Sequence, residues 1–578
     1  MVNLNKKKQG HNAYLMAAFA VIMAVLFLRL LYLQIVQHEK LAKLAELNAA
    51  KLVIDLAPRG IIYDRKGKVI VDNQPVFSVH VLPYILNKKN ETGRKQILHA
   101  LSDLLGEKIE YKISATEPII IKDNIKKDIA VRIEERKSDL DGVVVRSYPV
   151  RRYPFGDAAS HVLGYIGEIQ ADELKNLKDQ GYKAGDFIGK DGVEKIYDRE
   201  LRGTDGGRKV EVDVLGNPLR VLESLPPSPG ADMKLTIDID LQEAVEKALG
   251  EKTGAVIVID PNNGQILALT SHPNYDPNLF VKGIKKSDWS YIKSSRHPFM
   301  NRALAIFPPG STFKPVTLTA ALEEKLAKPT EVIHCPGFFR LNNRIARCWK
   351  ESGHGLITMV EGLVQSCDVV FYQLGLRIGP DTLAKYAEKF GLGRKTGIDL
   401  PQEKRGLVPT KAWKKAARHE SWYEGESINY GIGQGYIQVT PLQMAVLYAG
   451  LAKGEMYKPY VVEEIKDQQG KYLYRGQTQV VKKVPASLET LKIIRQALRD
   501  VVDRATGIAA KIPDFPASGK TGTAENPGKP HAWFICYAPS DNPEIVIVAF
   551  VEHGEHGDRS SAYVARDILK WYQLKTKI

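Results

Sequence analysis

A chain of 578 residues is longer than the roughly 50–250 residues of one ordinary domain, so two or three folding units are expected. Hydrophobic residues at 44% and charged residues at 26%, with no low-complexity tract, heptad run or internal repeat, exclude a disordered or fibrous chain. The 82 Lys+Arg against 67 Asp+Glu leave +15, which suits an anionic surface; the basic residues are dispersed and no helix-turn-helix, zinc-finger or RNA-binding signature accompanies them, so no nucleic-acid partner is expected.

The first element is apolar. Lys6, Lys7 and Lys8 precede a stretch from Ala13 to Leu28 that has no charged or strongly polar residue. Its 16 positions reach about 24 Å as a helix, short of a hydrocarbon core of about 30 Å. Leu30 to Val36 completes the span when Arg29 snorkels to the interface. A cleaved signal peptide is the rival reading, but no small-x-small site follows Leu28. An uncleaved membrane anchor over 13–36 is therefore expected, with residues 1–12 as a cytoplasmic tail and everything after Val36 exported.

Leu41, Leu44 and Leu47 carry helical spacing out of the anchor and predict an amphipathic helix. Between Ile54 and Gly230, short β-branched runs such as Gly142 to Val145 alternate with glycine turns, and a helical piece lies near Arg94 to Leu105. Pro226-Pro-Ser-Pro-Gly230 reads as a linker, so a β-rich domain over 37–230 and a second domain over 231–578 are expected. In the second, Ala255 to Ile259 and Gln265 to Leu269 flank the hairpin signal Pro261-Asn-Asn-Gly264. Ala532 to Tyr537 and Glu544 to Val551 form another strand pair, the latter apolar on both faces as a helix-covered strand is. Val564, Ile568 and Tyr572 give the last helix one face for that sheet, and the expected fold class is α/β.

Pro308-Pro-Gly-Ser311-Thr-Phe-Lys314 puts a serine at a helix start with a lysine on the same face. A serine hydroxyl needs a base to take its proton, and a lysine serves when desolvation and the helix's positive end keep it neutral. Alone, this pattern is more often a capping serine and a surface lysine. Two further motifs follow, Ser366-Cys-Asp368 and Lys520-Thr-Gly-Thr523, the latter just before the strand containing Trp533 and Phe534.

In this order and at these separations the three motifs resemble the set found in β-lactamases and penicillin-binding proteins. The resemblance extends over nearly the whole chain and is to class B penicillin-binding proteins of the elongation type. It is carried by Arg59-Gly-Ile-Ile-Tyr-Asp-Arg-Lys-Gly67, Arg152-Tyr-Pro-Phe-Gly156, Gly189-Lys-Asp-Gly-Val-Glu-Lys195, Gly431-Ile-Gly-Gln-Gly435 and His531-Ala-Trp-Phe534. Aspartate at the end of the middle motif, where division-type relatives usually have asparagine, favours the elongation type, and no segment before Ala231 is suited to a glycosyltransferase domain.

The resemblance implies a penicillin-binding/β-lactamase-like transpeptidase domain, an antiparallel sheet covered by helices, on an elongated β-rich pedestal or dimerisation-type domain with one transmembrane helix. It implies a serine-type enzyme of the D-Ala-D-Ala transpeptidase/carboxypeptidase class in a bacterial inner membrane, its bulk in the periplasm, acting on peptidoglycan stem peptides and inhibited by β-lactams. Ser311 would attack the D-Ala-D-Ala carbonyl and Lys314 take its proton. Ser366, helped by Lys520, would relay a proton to the departing D-alanine, while Asp368 would hold the substrate backbone. The N–H groups of Ser311 and Thr523 would form an oxyanion hole, and Thr521, Gly522 and Thr523 the strand that binds the terminal carboxylate. The pedestal would dock a RodA-type polymerase and elongation scaffold proteins.

Cys335, Cys348 and Cys367 fall within 33 residues, with His354 among them at gaps of 12, 5 and 12 residues. Three thiolates and an imidazole suit tetrahedral zinc, whereas exported cysteines often oxidise, so a structural zinc site and a disulfide with one free thiol are both open. Some elongation-type relatives resemble this pattern with a zinc site of carboxylate, histidine and cysteine ligands; here Cys335 and Cys348 would replace carboxylates. Cys536 lies in an apolar strand and reads as core. The rival functions are a division-type transpeptidase, a β-lactamase, a β-lactam-binding sensor and a structural wall protein.

Overall fold

The computed structural model describes residues 3–41, 50–109, 118–212, 218–281 and 296–576, with 288, 290, 292 and 293 between the last two ranges. The segment holding Leu44 and Leu47 lies outside the described residues. Helix Asn3–Leu31 runs into a π-helical turn, Tyr32–Val36. Over Tyr14–Val36, 23 residues, it is long and apolar enough to cross a membrane, and Leu15, Phe19, Ile22 and Leu26 are all exposed along it. A span whose backbone bonds are met internally and whose apolar side chains face outward is stable in lipid and not in water.

Two compact units interleave along the chain. The first comprises 1–58, 75–150 and 204–228. In it Ala50–Asp55, Gly206–Val212 and Pro218–Leu225 form a three-stranded antiparallel sheet. A second core packs Ile97 and Leu101 of helix Glu91–Leu105, and Ile133 of helix Lys127–Glu135, against Val79, Val81 and Val143. Asn90 caps the longer helix through Gly93 N–H, and Gly106 in the left-handed region ends it, satisfying orphan groups at both ends.

The second unit comprises 59–74, 151–203 and 229–578. One boundary lies inside the Pro226–Gly230 segment, and residues 59–74 and 151–203 cluster with the C-terminal part. The pairing of Ile62 and Tyr63 with Met233 and Lys234 ties the first segment to the C-terminal part, and a buried charge cluster made from the arginine and glycine motifs ties the two segments to each other. Arg59 reaches Glu194 (2.7 Å) and Asp198 (2.8 Å), and Arg151 reaches the other oxygen of Glu194 (2.7 Å) and the carbonyl of Gly60 (2.6 Å). Burial alone would raise the Glu194 carboxyl; Arg151 and Arg59 outweigh it and hold it below the usual carboxylate range. The glycines permit the approach: a Cβ on Gly60 would lie 1.7 Å from the Ala231 carbonyl oxygen, and one on Gly164 equally close to that of Asp191.

The main sheet of this unit has five strands, β1 (Gly254–Ile259), β2 (Ile266–His272), β3 (Ser518–Ala524), β4 (His531–Ala538) and β5 (Ile545–Val551). Their order is β2-β1-β5-β4-β3, antiparallel throughout. Successive side chains alternate faces, so the strands feed two cores. Val256, Val258, Phe534, Ile547 and Ala549 meet helix Ile239–Leu249 and the last helix through Leu241, Val245, Val564 and Ile568. Ile257, Trp533, Ile535, Val548 and Phe550 face the opposite core, which holds Leu447 and Leu451 of a central helix.

Four helices matter for the site: α1 (Lys314–Glu323), α2 (Asp368–Ile378), α3 (Pro441–Lys453) and α4 (Leu488–Arg504). Thr440 caps α3 in a reciprocal box with Gln443, with Pro441 at the first helical position. The strand β3 is an edge strand of the sheet, is buried along almost its whole length, and carries Lys520 to Thr523.

Candidate active site

Ser311 lies in a 3₁₀ turn, Gly310–Phe313, that feeds directly into α1 at Lys314. Gly310 has φ +54°, and a Cβ there would lie 2.6 Å from the Thr523 carbonyl oxygen. On its other side a Cβ on Gly433, at φ +76°, would lie 2.2 Å from the Gly310 oxygen, and Gly310 N–H donates to the Gly433 carbonyl at 2.9 Å. The Gly431–Gly435 motif and β3 thus clamp the serine turn, and only glycine fits both contacts.

Lys314 is fully buried. Its Nζ donates to the Ser366 carbonyl (2.8 Å), to Ser366 Oγ (3.2 Å) and to Asp368 Oδ1 (2.8 Å). Lys520, also fully buried, donates to Ser366 Oγ at 2.9 Å and to the Thr521 carbonyl at 3.0 Å. Burial, then the nearby Lys314 charge, push the Lys520 amine well below the ordinary lysine value, with Asp368 opposing. Ser366 sits at φ 55°, a left-handed conformation that costs a non-glycine residue about 1–2 kcal/mol and aims its hydroxyl between the two lysines. Among the described residues Ser311 Oγ makes no hydrogen bond.

The expected catalytic set Ser366, Asp368, Lys314 and Lys520 is therefore brought together, beside Ser311. One Asp368 carboxylate oxygen accepts from Lys314 and the other from the backbone N–H of Trp349 at 2.9 Å, which anchors the Trp349 loop. Thr521 Oγ1 is donated towards Thr506 Oγ1 at 2.8 Å. Gly522 is required by packing, since its Cβ would lie 2.9 Å from Thr312 Cγ2 and 3.1 Å from Trp533 Cβ. Trp349 and Thr506 were not identified from sequence. Each acts through a loop position, and only the place of Trp349 next to Cys348 hinted at it.

The four cysteine and histidine residues converge. The three sulfurs and an imidazole nitrogen lie within 4.8 Å of one another. Cys335 ends the strand Val332–Cys335, Cys348 follows the hairpin strand Arg344–Arg347, His354 precedes Gly355–Thr358, and Cys367 is the N-cap of α2. His354 Nδ1 is 3.5 Å from Cys335 Sγ and 3.6 Å from Cys348 Sγ. A zinc ion about 2.3 Å from sulfur and about 2.0 Å from nitrogen at tetrahedral angles sets S···N edges of about 3.5 Å. All four cysteines are free thiols in this structure. The hydrogen bond shared by the Cys348 and Cys367 thiols lowers Cys348 and raises Cys367. The donor set fits a tetrahedral zinc ion in number, chemistry and spacing. Cys536 is buried in β4, its thiol raised by burial, and is core.

Residues 254–570 match the penicillin-binding protein transpeptidase domain, and residues 54–235 match the penicillin-binding protein dimerisation domain. The chain belongs to the penicillin-binding protein transpeptidase family. Within it, the chain is 33% identical to the peptidoglycan D,D-transpeptidase MrdA of Acinetobacter baumannii, covering 98% of this chain and 88% of that protein. A penicillin-binding protein 2 solved in complex with MreC from Helicobacter pylori superposes with a TM-score of 0.77 at 28% identity, covering 91% of this chain and 99% of that one. A chain solved in a peptidoglycan synthase complex that couples polymerisation and crosslinking has a TM-score of 0.75 at 32% identity, over 97% and 98% of the two chains.

Proposed function

We propose that this penicillin-binding protein is an elongation-type peptidoglycan D,D-transpeptidase that works through a Ser311 acyl-enzyme. The observation that carries the reading is the convergence of Lys314 and Lys520 on Ser366 Oγ, next to the Ser311 turn. A hydroxyl has two acceptor lone pairs and one proton. With both lone pairs taken by lysine donors, the Ser366 proton is free to point at a leaving nitrogen.

Ser311 Oγ attacks the penultimate D-Ala carbonyl carbon and gives its proton to Lys314, which gives up one of its three donor contacts so that a lone pair can take it, and the N–H groups of Ser311 and Thr523 receive the developing oxyanion. The C–N bond then breaks. The departing D-alanine nitrogen takes the Ser366 proton, and Ser366 is reprotonated from Lys314 across the 3.2 Å contact, so one proton has passed from Ser311 to the leaving amine. Lys520 fixes Ser366 and, with Thr521 and Thr523, faces the substrate carboxylate. An acceptor amine next forms the new C–N bond and releases Ser311. A β-lactam ring follows the first half of this path and stops at the ester.

Cys335, Cys348, His354 and Cys367 would hold a structural zinc ion, which supplies a cross-link between two small hairpins and the α2 N-terminus and takes no part in acyl transfer. The lysines before the apolar helix support a reading with the N-terminus in the cytoplasm and the catalytic unit in the periplasm. The N-terminal unit supports docking of a RodA-type polymerase and elongation scaffold proteins, because Ile54, Leu56, Ile120 and Val221 are exposed around an open cleft of about 970 Å³ within it.

A fluorescent penicillin tests the enzyme reading. A stable label on the wild type, absent in Ser311→Ala, supports a transpeptidase; prompt turnover of the label means a β-lactamase. Disruption of the N-terminal cleft lowers polymer synthesis by a co-expressed polymerase if docking is its role.

A further inference from the structure

A second cleft, of about 850 Å³, opens at the end of the main sheet where β3 turns into β4. It is built from parts of the molecule that the chemistry above leaves unused: the start of β1, the segment 296–307, the β3–β4 turn and the loop after β5. Lys252, Arg296 and Arg302 bring three positive charges to its wall, and Glu552 is the one carboxylate there. Glu552 is already committed, since Arg302 Nε donates to it at 2.8 Å. Arg302 spends its other nitrogens on the carbonyls of Arg296, His297 and Met300, and so knits this wall together. The net charge left facing the cleft comes from the exposed Lys252 and Arg296.

The imidazoles add a directed donor. His531 Nδ1 accepts the backbone N–H of His553 at 3.2 Å, so the ring proton of the neutral form sits on Nε2. Burial and then His553 lower His531 to about 4, which keeps that form at neutral pH. Among the described residues no acceptor meets the Nε2–H. Phe307 packs edge-on to the His531 ring and walls the cleft on its apolar side.

The cleft borders the reacting serine. His531 pairs with Ala524, the residue after Thr523, whose carbonyl packs on Gly310. Phe307 is four positions before Ser311. A Cβ on Gly557, in the loop after β5, would lie 2.6 Å from the Gly522 carbonyl oxygen, so that loop also abuts the active-site strand. At about 3.3 Å per strand residue and about 4.8 Å between strands, His531 lies within roughly 10 Å of Thr523.

We infer that this cleft is an acceptor subsite, in which Lys252, Arg296 and the His531 Nε2–H hold a carboxylate of the incoming stem peptide while its amine attacks the Ser311 ester. The inference rests on the transpeptidase reading given above and adds to it the site of the second substrate. In the step it serves, the acceptor nitrogen forms a bond to the acyl carbon, the bond from that carbon to Ser311 Oγ breaks, and the proton lost by the nitrogen returns to Ser311. A bound carboxylate raises the local concentration of the amine and favours aminolysis over attack by water. Cations at the rim of a cleft also steer an anionic strand to it.

The test uses the full-length protein in detergent with uncrosslinked glycan strands that bear native stem peptides. Two quantities are read together, the rate of labelling by fluorescent penicillin and the ratio of cross-linked dimer to hydrolysed stem. The double variant Lys252→Ala with Arg296→Ala changes two exposed side chains, and is expected to lower the dimer-to-hydrolysis ratio by about fivefold at an unchanged labelling rate. Lys252→Arg with Arg296→Lys is expected to keep the ratio. Strands in which only the carboxylate next to the acceptor amine is amidated, the terminal D-Ala carboxylate being left free, should reduce the wild type to the level of the double Ala variant. An unchanged ratio in the double Ala variant overturns the inference, as does an equal fall of labelling and cross-linking. Absence of labelling in the wild type is a different result: it removes the Ser311 reading itself, and the subsite with it.

Discussion

Replacing Cys348 by serine probes the link between the metal-ligand cluster and the catalytic loop. Cys348 and Cys335 both face His354 Nδ1, at 3.6 and 3.5 Å, and Cys367 lies between Ser366 and Asp368 at the start of α2. A zinc ion on these four groups ties the hairpin segments to the residue that holds Ser366 at φ 55°. If free zinc exceeds the dissociation constant about a thousandfold, the site contributes about 4 kcal/mol to folding. For a unit of roughly 400 residues that is about 5 °C in melting temperature. Loss of the tie also lets Ser366 and Asp368 relax, and a displacement of about 1 Å at a reacting centre can cost about 100-fold in rate. The assay is metal content, thermal melting and penicillin acylation rate on the wild type, the Cys348→Ser variant and chelator-treated wild type. Expected are one zinc per chain, a fall of about 5 °C and acylation slowed about 10-fold to 100-fold in both perturbed samples. Wild type free of zinc, with two of the three thiols oxidised and no response to chelator, would refute the reasoning.

Lys520→Met should change the pH dependence of stability. A buried amine held below its ordinary value costs stability when protons are abundant, so the wild type gains stability as pH rises from the depressed value towards about 10.4, at up to about 1.4 kcal/mol per pH unit. Denaturant melts between pH 7 and 10 should show that slope flattened in the variant, together with loss of acylation; an unchanged slope counts against a neutral Lys520. Glu194→Gln leaves Arg151 buried without a carboxylate and Arg59 with Asp198 alone, and is expected to cost about 3–5 kcal/mol, read by chemical denaturation. In the wild type the depressed Glu194 contributes stability above the ordinary carboxylate range, and this is lost as pH falls through its lower folded value. Gly433→Ala places a methyl 2.2 Å from the Gly310 oxygen in a left-handed backbone conformation, so acylation should fall about tenfold or more while the chain still folds; full activity would mean the serine turn is not clamped there.

Sequence periodicity reached the strands well because each is bounded by turn residues and buried on both faces: the pairs β1–β2 and β4–β5 and the face of the last helix match their predicted places. The buried arginine motifs were legible as motifs, but their pairing across more than 130 positions, Arg59 with Glu194, was not, and that pairing ties 59–74 to 151–203 within one unit. In the active site the three motifs marked Ser311, Lys314, Ser366, Asp368 and Lys520. The engagement of Asp368 with Lys314 and with the Trp349 backbone could not be read, because a backbone N–H donor leaves no trace in residue type. Thr506 is hidden for a similar reason, as a lone threonine in a loop whose one signal is its hydroxyl contact with Thr521.

The central claim is that Ser311 is the acylated residue. Mass spectrometry of the full-length protein after exposure to a penicillin, with peptide mapping, tests it most directly. One adduct per chain on the peptide containing Ser311, absent in Ser311→Ala and retained in Lys252→Ala, is the predicted result; an adduct at any other residue, or one that persists in Ser311→Ala, would contradict it.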